Sequence, residues 1–335
     1  MIRELLIKRG YSETQINKVL TCYALERFDE STLLRHINEI FEYLIFIGYT
    51  KEEVRKMTAT LPSLYGLSIE NIENKLKAME KMGYTRKELL KMAKNIPSIY
   101  TYNIETLKKK IYDMEKLGYT RSQILKMTIA TPSIYSYDIE KLKSKIFDMI
   151  NLGYTKEQIL KMTVRLSSIY SYNIETMKSK LYDMEKLGYT KEELLKMTVS
   201  CPEIYSYGIK NINKKFFDLE KLGYTRKQII KMTVSLPTIY GLKIENLREK
   251  IFYMKEIGME DFILKNAKYL MQSVDLTYAR YNYLTEDKDI KLEASNAKLL
   301  FYGGSRFEKQ FEISNIELLK RYNYRSVTDI KRKIK

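Results

Sequence analysis

The chain has 335 residues, and its 59 lysines and arginines against 42 aspartates and glutamates give a net charge of +17. This charge favours an anionic partner, such as nucleic acid or an acidic membrane surface, although it also serves solubility. Its two cysteines, Cys22 and Cys201, are too few and too separated for a disulfide framework or a thiolate metal site, which indicates a reducing compartment.

The first residues show no recognisable targeting signal. Residues 1–9 lack the long apolar stretch of a secretory signal and do not resemble a transit peptide. The apolar run from Leu44 to Ile47 is far shorter than the roughly 20 residues that span a bilayer. We therefore expect a soluble, cytoplasmic monomer that does not enter membranes. A location in the mitochondrial matrix is the alternative if a targeting segment precedes this sequence.

A 35-residue repeat fills most of the chain, and its marker is a glycine that begins the tripeptide Gly-Tyr-Thr in six copies. The glycines of this phase are Gly48, Gly83, Gly118, Gly153, Gly188, Gly223 and Gly258. Six full repeats therefore span residues 48–257. We expect residues 1–47, which contain Gly10-Tyr11-Ser12, to form a degenerate capping repeat. We expect residues 258–335 to form another degenerate repeat, a C-terminal helical cap and a basic tail.

Each repeat predicts a first helix that begins with a capping box. A threonine is followed three residues later by glutamate or glutamine, as in Thr50 with Glu53 and Thr120 with Gln123. Apolar residues at helical spacing follow and predict one buried face. A proline then ends or bends the helix, because it lacks an amide hydrogen and its ring clashes with the preceding turn. All five prolines occupy this position, and Ser167 replaces the proline in the fourth repeat.

A short apolar link leads to a predicted second helix in each repeat. Its N-cap is a short polar residue in four copies, namely Ser68, Asn103, Asp138 and Asn173. In the second repeat the buried face of this helix is marked by Ile104, Leu107, Ile111, Met114 and Leu117. Neither helix buries its apolar face alone, so adjacent repeats must stack into a continuous core. The sequence thus predicts an all-α fold, a superhelical solenoid of helix pairs.

The period weakens after about residue 285. The polar segment 284–289 predicts a loop, and the helix-like apolar spacing of residues 295–323 predicts a C-terminal cap. The tail from Lys331 to Lys335 is basic.

The repeat resembles that of the mitochondrial transcription termination factor (mTERF) family. The shared elements are Leu-Gly-Tyr-Thr, Ile-Leu-Lys-Met, Pro-x-Ile and Ile-Glu-x-Leu-Lys-x-Lys-Ile, all present in residues 117–146. The resemblance covers six consecutive repeats and extends weakly over residues 258–284, where 273–275 and 279–281 resemble the family's second helix. It implies a superhelix of helix pairs that binds nucleic acid along a basic groove, with a role in transcription regulation or termination.

Three phases of the repeat are basic in all six copies, and residues 48–257 carry +14 of the net charge. The helix-start residues are Lys51, Arg86, Arg121, Lys156, Lys191 and Arg226. The mid-helix lysines are Lys56, Lys91, Lys126, Lys161, Lys196 and Lys231. The second-helix lysines are Lys75, Lys110, Lys145, Lys180, Lys215 and Lys250. We predict that these residues contact phosphates, although duplication of solvated surface residues explains the same pattern.

Helix geometry distinguishes the three phases without deciding which of them faces the nucleic acid. The mid-helix lysines lie opposite the apolar face of the first helix and should project into solvent. A cation at a helix start is disfavoured by the helix dipole by about 0.3 to 1 kcal/mol, so its recurrence requires an offsetting interaction, which an anionic partner would supply.

Sequence readout is expected to be weak. Lysine outnumbers arginine by 44 to 15, which favours point-charge attraction to phosphates over the bidentate arginine contacts that read guanine. The one candidate readout position, two residues before the proline, holds Thr60, Asn95, Ala130, Arg165, Ser200 and Ser235. Surface drift explains this variation equally well.

Recurring tyrosines and methionines have structural interpretations. The link tyrosines are Tyr65, Tyr100, Tyr135, Tyr170, Tyr205 and Tyr240, and four repeats add Tyr102, Tyr137, Tyr172 and Tyr207. We interpret them as rings that pack between the helices with the hydroxyl at the surface, and stacking on bases is the alternative. The methionines of the first helix, at 57, 92, 127, 162, 197 and 232, are interpreted as core residues.

Nothing in the sequence indicates catalysis. The single histidine, His36, has no cysteine or histidine nearby and is interpreted as structural, and Gly303-Gly304-Ser305 lacks the spacing of a phosphate-binding loop. We find no paired nucleophile and base, and we expect no enzyme activity, metal or cofactor. The predicted function is binding of double-stranded DNA with weak specificity. RNA binding and a protein or peptide scaffold are the alternatives, since solenoids offer long surfaces to either.

Overall fold

The computed structural model describes residues 1–323, and every regular element among them is helical. The predicted basic tail from Lys331 to Lys335 lies outside the described residues. The chain begins with α1 (Ile2–Lys8), α2 (Glu13–Leu20) and α3 (Glu30–Phe46). The first helices of the six repeats are α4 (Lys51–Thr60), α6 (Arg86–Asn95), α8 (Arg121–Ala130), α10 (Lys156–Arg165), α12 (Lys191–Ser200) and α14 (Arg226–Ser235). Their second helices are α5 (Ile69–Lys81), α7 (Ile104–Lys116), α9 (Ile139–Leu152), α11 (Ile174–Glu185), α13 (Ile209–Lys221) and α15 (Ile244–Glu256). The chain continues with α16 (Glu260–Lys265), α17 (Val274–Asn282), α18 (Gly304–Phe311) and α19 (Asn315–Arg321).

The repeats stack within two compact units, Met1–Ser171 and Tyr172–Lys335. In the first unit the first helices α4, α6, α8 and α10 pack in succession, and the second helices α3, α5, α7 and α9 do the same. In the second unit α12, α14 and α16 pack in succession, and α15 packs against α17. Each unit therefore has a layer of first helices and a layer of second helices, as expected of a helical-repeat solenoid.

The Gly-Tyr-Thr tripeptide turns the chain from one repeat into the next. In the third repeat Gly118 has a φ of 105°, a left-handed conformation that favours glycine. Thr120 follows as the N-cap of α8, and it exchanges hydrogen bonds with Gln123 in a capping box. The same reciprocal bonds begin the first helix in all six repeats. The capping-box prediction is confirmed.

The proline ends the first helix and begins a 3-10 turn. Pro132, for example, is the first residue of the turn Pro132–Ser136, and the residue before it has left the helical conformation. The fourth repeat forms the same kind of turn, Ser167–Ser171, without a proline. There the Ser167 hydroxyl donates a hydrogen bond to the Thr163 carbonyl at 3.0 Å. The turn is therefore held by more than the constraint of the proline ring.

The second helices begin at the predicted caps in four repeats. The side chains of Ser68, Asn103, Asp138 and Asn173 accept hydrogen bonds from the first-turn amides of α5, α7, α9 and α11. Gly208 and Lys243 stand at this position in the last two repeats and provide no side-chain cap. Helix formation in those repeats therefore depends more on packing than on local capping.

Both terminal copies keep the order of helix, 3-10 turn and helix. Residues before Gly48 contain α2 with a Ser12 capping box, a short turn at Tyr23–Leu25 and α3. After Gly258 come α16, a turn at Ala267–Met271, and α17, whose N-cap is Ser273. The predicted loop begins later than expected, because Tyr283–Asp287 continues α17 as a π-helical turn.

Candidate nucleic-acid interface

The mid-helix lysines are exposed in every repeat, as helix geometry predicts. Each precedes a methionine that is 0% exposed, so the lysine and the core residue lie on different sides of the same first helix. None of the six lysines forms an ion pair with another described residue. They are Lys56, Lys91, Lys126 and Lys161 in the first unit and Lys196 and Lys231 in the second.

The helix-start residues divide by residue type. The arginines have protein partners: the guanidinium of Arg86 binds Glu73 at 3.0 Å and Glu80 at 2.7 Å. Arg121 donates to the Met82 carbonyl at 2.7 Å, and Arg226 pairs with Glu220 at 2.9 Å. Each interaction offsets the unfavourable helix dipole without a bound anion. The lysines at this position, Lys51, Lys156 and Lys191, are exposed and have no ion pair among residues 1–323.

The second-helix lysines are directed into the protein. The ammonium of Lys180 is close to three backbone carbonyls of the following 3-10 turn, including that of Tyr205 at 2.6 Å, and the side chain is 8% exposed. Lys75, Lys110 and Lys215 donate to the carbonyls of Tyr102, Tyr137 and Leu242 in the same way. Lys250 donates to the Leu270 carbonyl at 2.8 Å.

Burial lowers the pKa of each of these lysines, including Lys145, because it removes water from the charged ammonium. The carbonyls supply the hydrogen bonds that water would otherwise provide. Phosphate contact would require the chain to give up these bonds. The sequence suggested that the second-helix lysines contact phosphates, but their bonds to carbonyls exclude them from the candidate interface.

A groove between α12 and α14 brings the two remaining basic phases together. Its lining includes the mid-helix residues Lys196 and Lys231, the helix-start residue Arg226, and Lys227 beside it. Glu193, which belongs to the capping box of α12, is the carboxylate in this lining. Four cations against one carboxylate give the groove a positive potential, which suits a polyanion.

The candidate readout position lies at the exposed C-terminal end of the first helices. Thr60 is hydrogen-bonded to a carbonyl of its own helix at 2.7 Å, and Ser200 and Ser235 each bond a helix carbonyl at 2.9 Å. Arg165 is the charged member and is exposed. These side chains share a position on each repeat, and their contact with bases stays a prediction.

The link tyrosines pack as predicted, but their hydroxyls are buried rather than at the surface. These rings are between 0 and 8% exposed, so they are not available to stack on bases. In five places the hydroxyl of a link tyrosine is hydrogen-bonded to the hydroxyl of another tyrosine. This second tyrosine belongs to the Gly-Tyr-Thr or Gly-Tyr-Ser tripeptide that begins the preceding copy of the repeat. The pairs are Tyr11 with Tyr65, Tyr49 with Tyr100, Tyr84 with Tyr135, Tyr119 with Tyr170, and Tyr189 with Tyr240.

A threonine completes most of these pairs. Thr128 lies 2.6 Å from the Tyr84 hydroxyl and donates to carbonyls of its own helix. Burial raises the pKa of both tyrosines in each pair, because the ionised form would lose its hydration. We call each pair of hydrogen-bonded tyrosines, together with its neighbouring threonine, a tyrosine latch. The spacing of two tyrosines across adjacent repeats was the signal for it in the sequence.

The remaining candidates are structural or partly buried. The second tyrosine set is partly buried. The His36 ring meets the Phe28 ring edge to face, with centroids 4.9 Å apart, and approaches the Tyr65 carbonyl at 3.1 Å. Gly303 is the N-cap of α18. No cluster of potential metal ligands occurs in residues 1–323. Nor is any helix in this part of the chain long and apolar enough to cross a membrane.

Sequence reasoning missed an exposed aromatic residue on the second helices. Tyr112, Phe147, Tyr182 and Phe217 are between 54 and 63% exposed. They occupy one phase of the repeat, directly after the buried residue at 111, 146, 181 or 216. Two adjacent large apolar residues on an amphipathic helix were the available signal, since the second of them cannot share the buried face.

Comparison with known proteins agrees with this architecture. The mTERF family model matches the chain twice, over residues 5–184 and 179–308. A search of curated proteins found no match. The family match covers the terminal copies as well as the six regular repeats, and it suggests a helical-repeat protein that binds nucleic acid. The chain therefore belongs to the mTERF family.

Proposed function

We propose that this protein binds double-stranded DNA through the mid-helix lysines, with weak sequence specificity, and that it acts in transcription regulation or termination. The observation that carries the proposal is one exposed, unpaired lysine at the same position of six repeats. A ligand with a regular series of phosphates can use these cations, because the stacking of repeats within each unit places equivalent residues at regular intervals.

The competing basic phases are less able to contribute. Second-helix ammonium groups already bind carbonyls, as Lys180 does, and the helix-start arginines already bind carboxylates or a carbonyl. A mid-helix lysine breaks no protein interaction when it meets a phosphate. Lys51, Lys156 and Lys191 share this property and extend the proposed surface at the start of the same helices.

Weak specificity follows from the chemistry of lysine. Its ammonium is a compact charge on a flexible stem, and it positions a protein on phosphates without reading bases. Arg165 is the one cation at the candidate readout position. We expect it to add a local preference at most, since each good bidentate contact discriminates by about 1–3 kcal/mol.

The test is the salt dependence of DNA affinity. Lys126, Lys161 and Lys196 are replaced together by glutamine, and affinity for unrelated duplexes is measured by fluorescence anisotropy over a salt series. Each lost phosphate contact reduces the slope of log affinity against log salt by about 0.9, so the triple variant should lose roughly 3 from the slope. The affinity should fall by similar factors for every duplex.

A matched control removes the same charge elsewhere. Lys109, Lys141 and Lys178 are exposed lysines of second helices, and their replacement by glutamine should leave the slope nearly unchanged. Equal losses from both variants would mean that net charge alone governs binding, and the mid-helix proposal would be wrong. Structured RNA and heparin are titrated beside the duplex. RNA that outcompetes duplex at moderate salt would replace DNA as the ligand, and no binding to any polyanion would favour a protein scaffold.

A further inference from the structure

The third residue of each first helix differs in charge from one repeat to another. Three repeats have glutamate there and three have glutamine, and the six residues are Glu53, Glu88, Gln123, Gln158, Glu193 and Gln228. Each of them completes a capping box with the threonine that precedes its helix. The start of the helix therefore forms equally with either residue, and local structure does not explain why the charge varies.

The capping box uses only one end of this side chain. Oε2 of Glu193 accepts hydrogen bonds from the amide and the hydroxyl of Thr190, at 2.9 and 3.1 Å. Oε1 of Gln228 accepts from the amide and the hydroxyl of Thr225, both at 2.9 Å. Because a backbone amide always donates, the glutamine must turn its oxygen toward the threonine and its amino group away from it. The free end is thus a neutral donor in glutamine and a charged acceptor in glutamate.

This position lies within the candidate interface. Glu193 lines the groove between α12 and α14 together with the mid-helix residues Lys196 and Lys231, and it forms no ion pair with a residue in 1–323. Gln123 holds the same position on α8, which packs against α10 as α12 packs against α14. Its amino group has no hydrogen-bond partner in the described part of the chain. A phosphate held by a mid-helix lysine therefore lies near this side chain.

The first repeat shows how a carboxylate at this position is neutralised. Glu53 pairs with Lys94 of the next first helix, and hydrogen bonding to that lysine lowers the pKa of Glu53. The counterpart of Lys94 two units of charge away in chemistry is an apolar residue elsewhere, such as Val234 in the groove that Glu193 lines. Glu193 has no such lysine beside it, so its negative charge stays in the groove.

We propose that the third residue of the first helix sets how strongly each repeat holds a phosphate. Gln123, Gln158 and Gln228 donate a hydrogen bond to a phosphate oxygen from the free amino group, as glutamine side chains do in protein–DNA interfaces. Glu88 and Glu193 repel the phosphate instead, and so weaken the contact of the neighbouring lysine. This inference rests on the proposed binding of DNA by the mid-helix lysines.

The experiment exchanges the two residues in both directions in the full chain. Duplex affinity is measured by fluorescence anisotropy at low salt for Gln123→Glu and for Glu193→Gln. The first should weaken binding and the second strengthen it, each by about threefold, which is the effect of one unit charge roughly 6 Å from another in water. Both variants keep a capping box that the chain already uses, so circular dichroism and urea unfolding should match the unsubstituted chain.

A neutral variant separates donation from repulsion. Gln123→Met removes the amino group without adding charge, and the affinity should fall by about twofold or more, since a net hydrogen bond is lost. Circular dichroism checks that the helix start survives the loss of its capping partner. Unchanged affinity in this variant would overturn the assignment of glutamine as a phosphate ligand.

Controls place the same charge changes on second helices. Asn151→Asp on α9 and Glu185→Gln on α11 alter exposed residues and should shift duplex affinity less than the exchanges at 123 and 193. Equal shifts would mean that net charge alone acts, and this inference would be wrong. It would also be wrong if the exchanges had no effect while the Lys126, Lys161 and Lys196 variant lost its salt slope, and DNA binding would then stand. A chain that binds no duplex at all would refute both proposals.

Discussion

Replacement of Thr128 by valine tests the tyrosine latch. Thr128 is 0% exposed, and its hydroxyl lies 2.6 Å from that of Tyr84 and donates to the carbonyls of Ile124 and Leu125 at 2.9 and 3.0 Å. Valine keeps the shape and has nearly the same helix propensity as threonine, but it puts a methyl group where the oxygen was. The Tyr84 hydroxyl would then lose one of its two hydroxyl neighbours in a buried site.

The chain itself shows how alanine is accommodated at this position. Ala93 replaces the threonine one repeat earlier, and there the Tyr49 hydroxyl donates to the Leu90 carbonyl at 3.0 Å. Leu90 is the counterpart of Leu125. Alanine at position 128 therefore opens a direct bond from Tyr84 to the Leu125 carbonyl, whereas the valine methyl blocks it.

The expected order reverses the usual rule that larger core deletions cost more. Burying an unsatisfied hydroxyl costs about 1–3 kcal/mol, so Thr128→Val should lower the free energy of unfolding by about that amount. Thr128→Ala should cost less, because the tyrosine keeps a partner and alanine gains helix propensity of about half a kcal/mol. In a background that carries both Tyr84→Phe and Tyr135→Phe the valine penalty should disappear, since neither hydroxyl of the pair is left to satisfy.

Urea unfolding followed by circular dichroism measures these differences, and unchanged slopes of free energy against urea are needed for the comparison. If Thr128→Ala proved more destabilising than Thr128→Val, or if valine cost the same with and without the hydroxyls of Tyr84 and Tyr135, the latch would contribute shape rather than hydrogen bonding. A double-mutant cycle gives the coupling between Tyr84 and Thr128 directly.

Three further predictions follow from the stacking of repeats. Lys180→Met should lower the free energy of unfolding by about 1–3 kcal/mol, because buried carbonyls lose their donor. The control Lys178→Met, on the exposed side of the same helix, should change the free energy of unfolding little. Neither variant should alter the salt slope of DNA binding. Burial raises the pKa of Tyr100 and Tyr189 to about 12, above the value of about 10 in the unfolded chain, so stability should be full below about pH 10 and fall as the pH rises toward 12. A free energy of unfolding that stays constant between pH 10 and pH 12 would contradict this. Deletion of residues 118–152 should leave a helical, folded protein, because Gly153 restores the repeat phase, and an unfolded product would refute nearest-neighbour stacking.

The fold was predictable from the sequence because the residues that begin and end the helices recur in each repeat and act through local physical effects. The threonine of Gly-Tyr-Thr caps a helix whatever surrounds it, and Pro132 ends a helix for reasons internal to its ring. Where a repeat lacks the proline or the capping side chain, packing against neighbouring helices determines the structure instead. Ser167 forms its 3-10 turn without proline, and α13 starts at Gly208 without a side-chain cap. In both cases the stacked neighbours impose a structure that the local sequence specifies only weakly.

The candidate site was less predictable, because a sequence shows the phase of a charge and not its partner. The sequence left open which of the three basic phases faces a ligand, whereas the reach of each lysine side chain in the structure separates them. The side chain of Lys180 lies along the edge of the core, and its ammonium contacts the next 3-10 turn. The side chain of Lys196 leaves its helix on the solvent side. Only the stacking of repeats determines which carbonyl or carboxylate is within reach.

The same stacking explains why charge can be repeated so often without self-repulsion destabilising the chain. Five repeats contribute a lysine whose ammonium bonds the backbone of the next copy, as Lys180 does, and helix-start arginines pair with carboxylates, as Arg86 and Arg226 do. These cations stabilise the array itself. Uncompensated charge remains on the mid-helix lysines, among others, where screening by salt limits their mutual repulsion and a polyanion can replace the salt. Stability and ligand attraction therefore use different lysines of one repeat, and the variants at positions 180 and 196 should affect them separately.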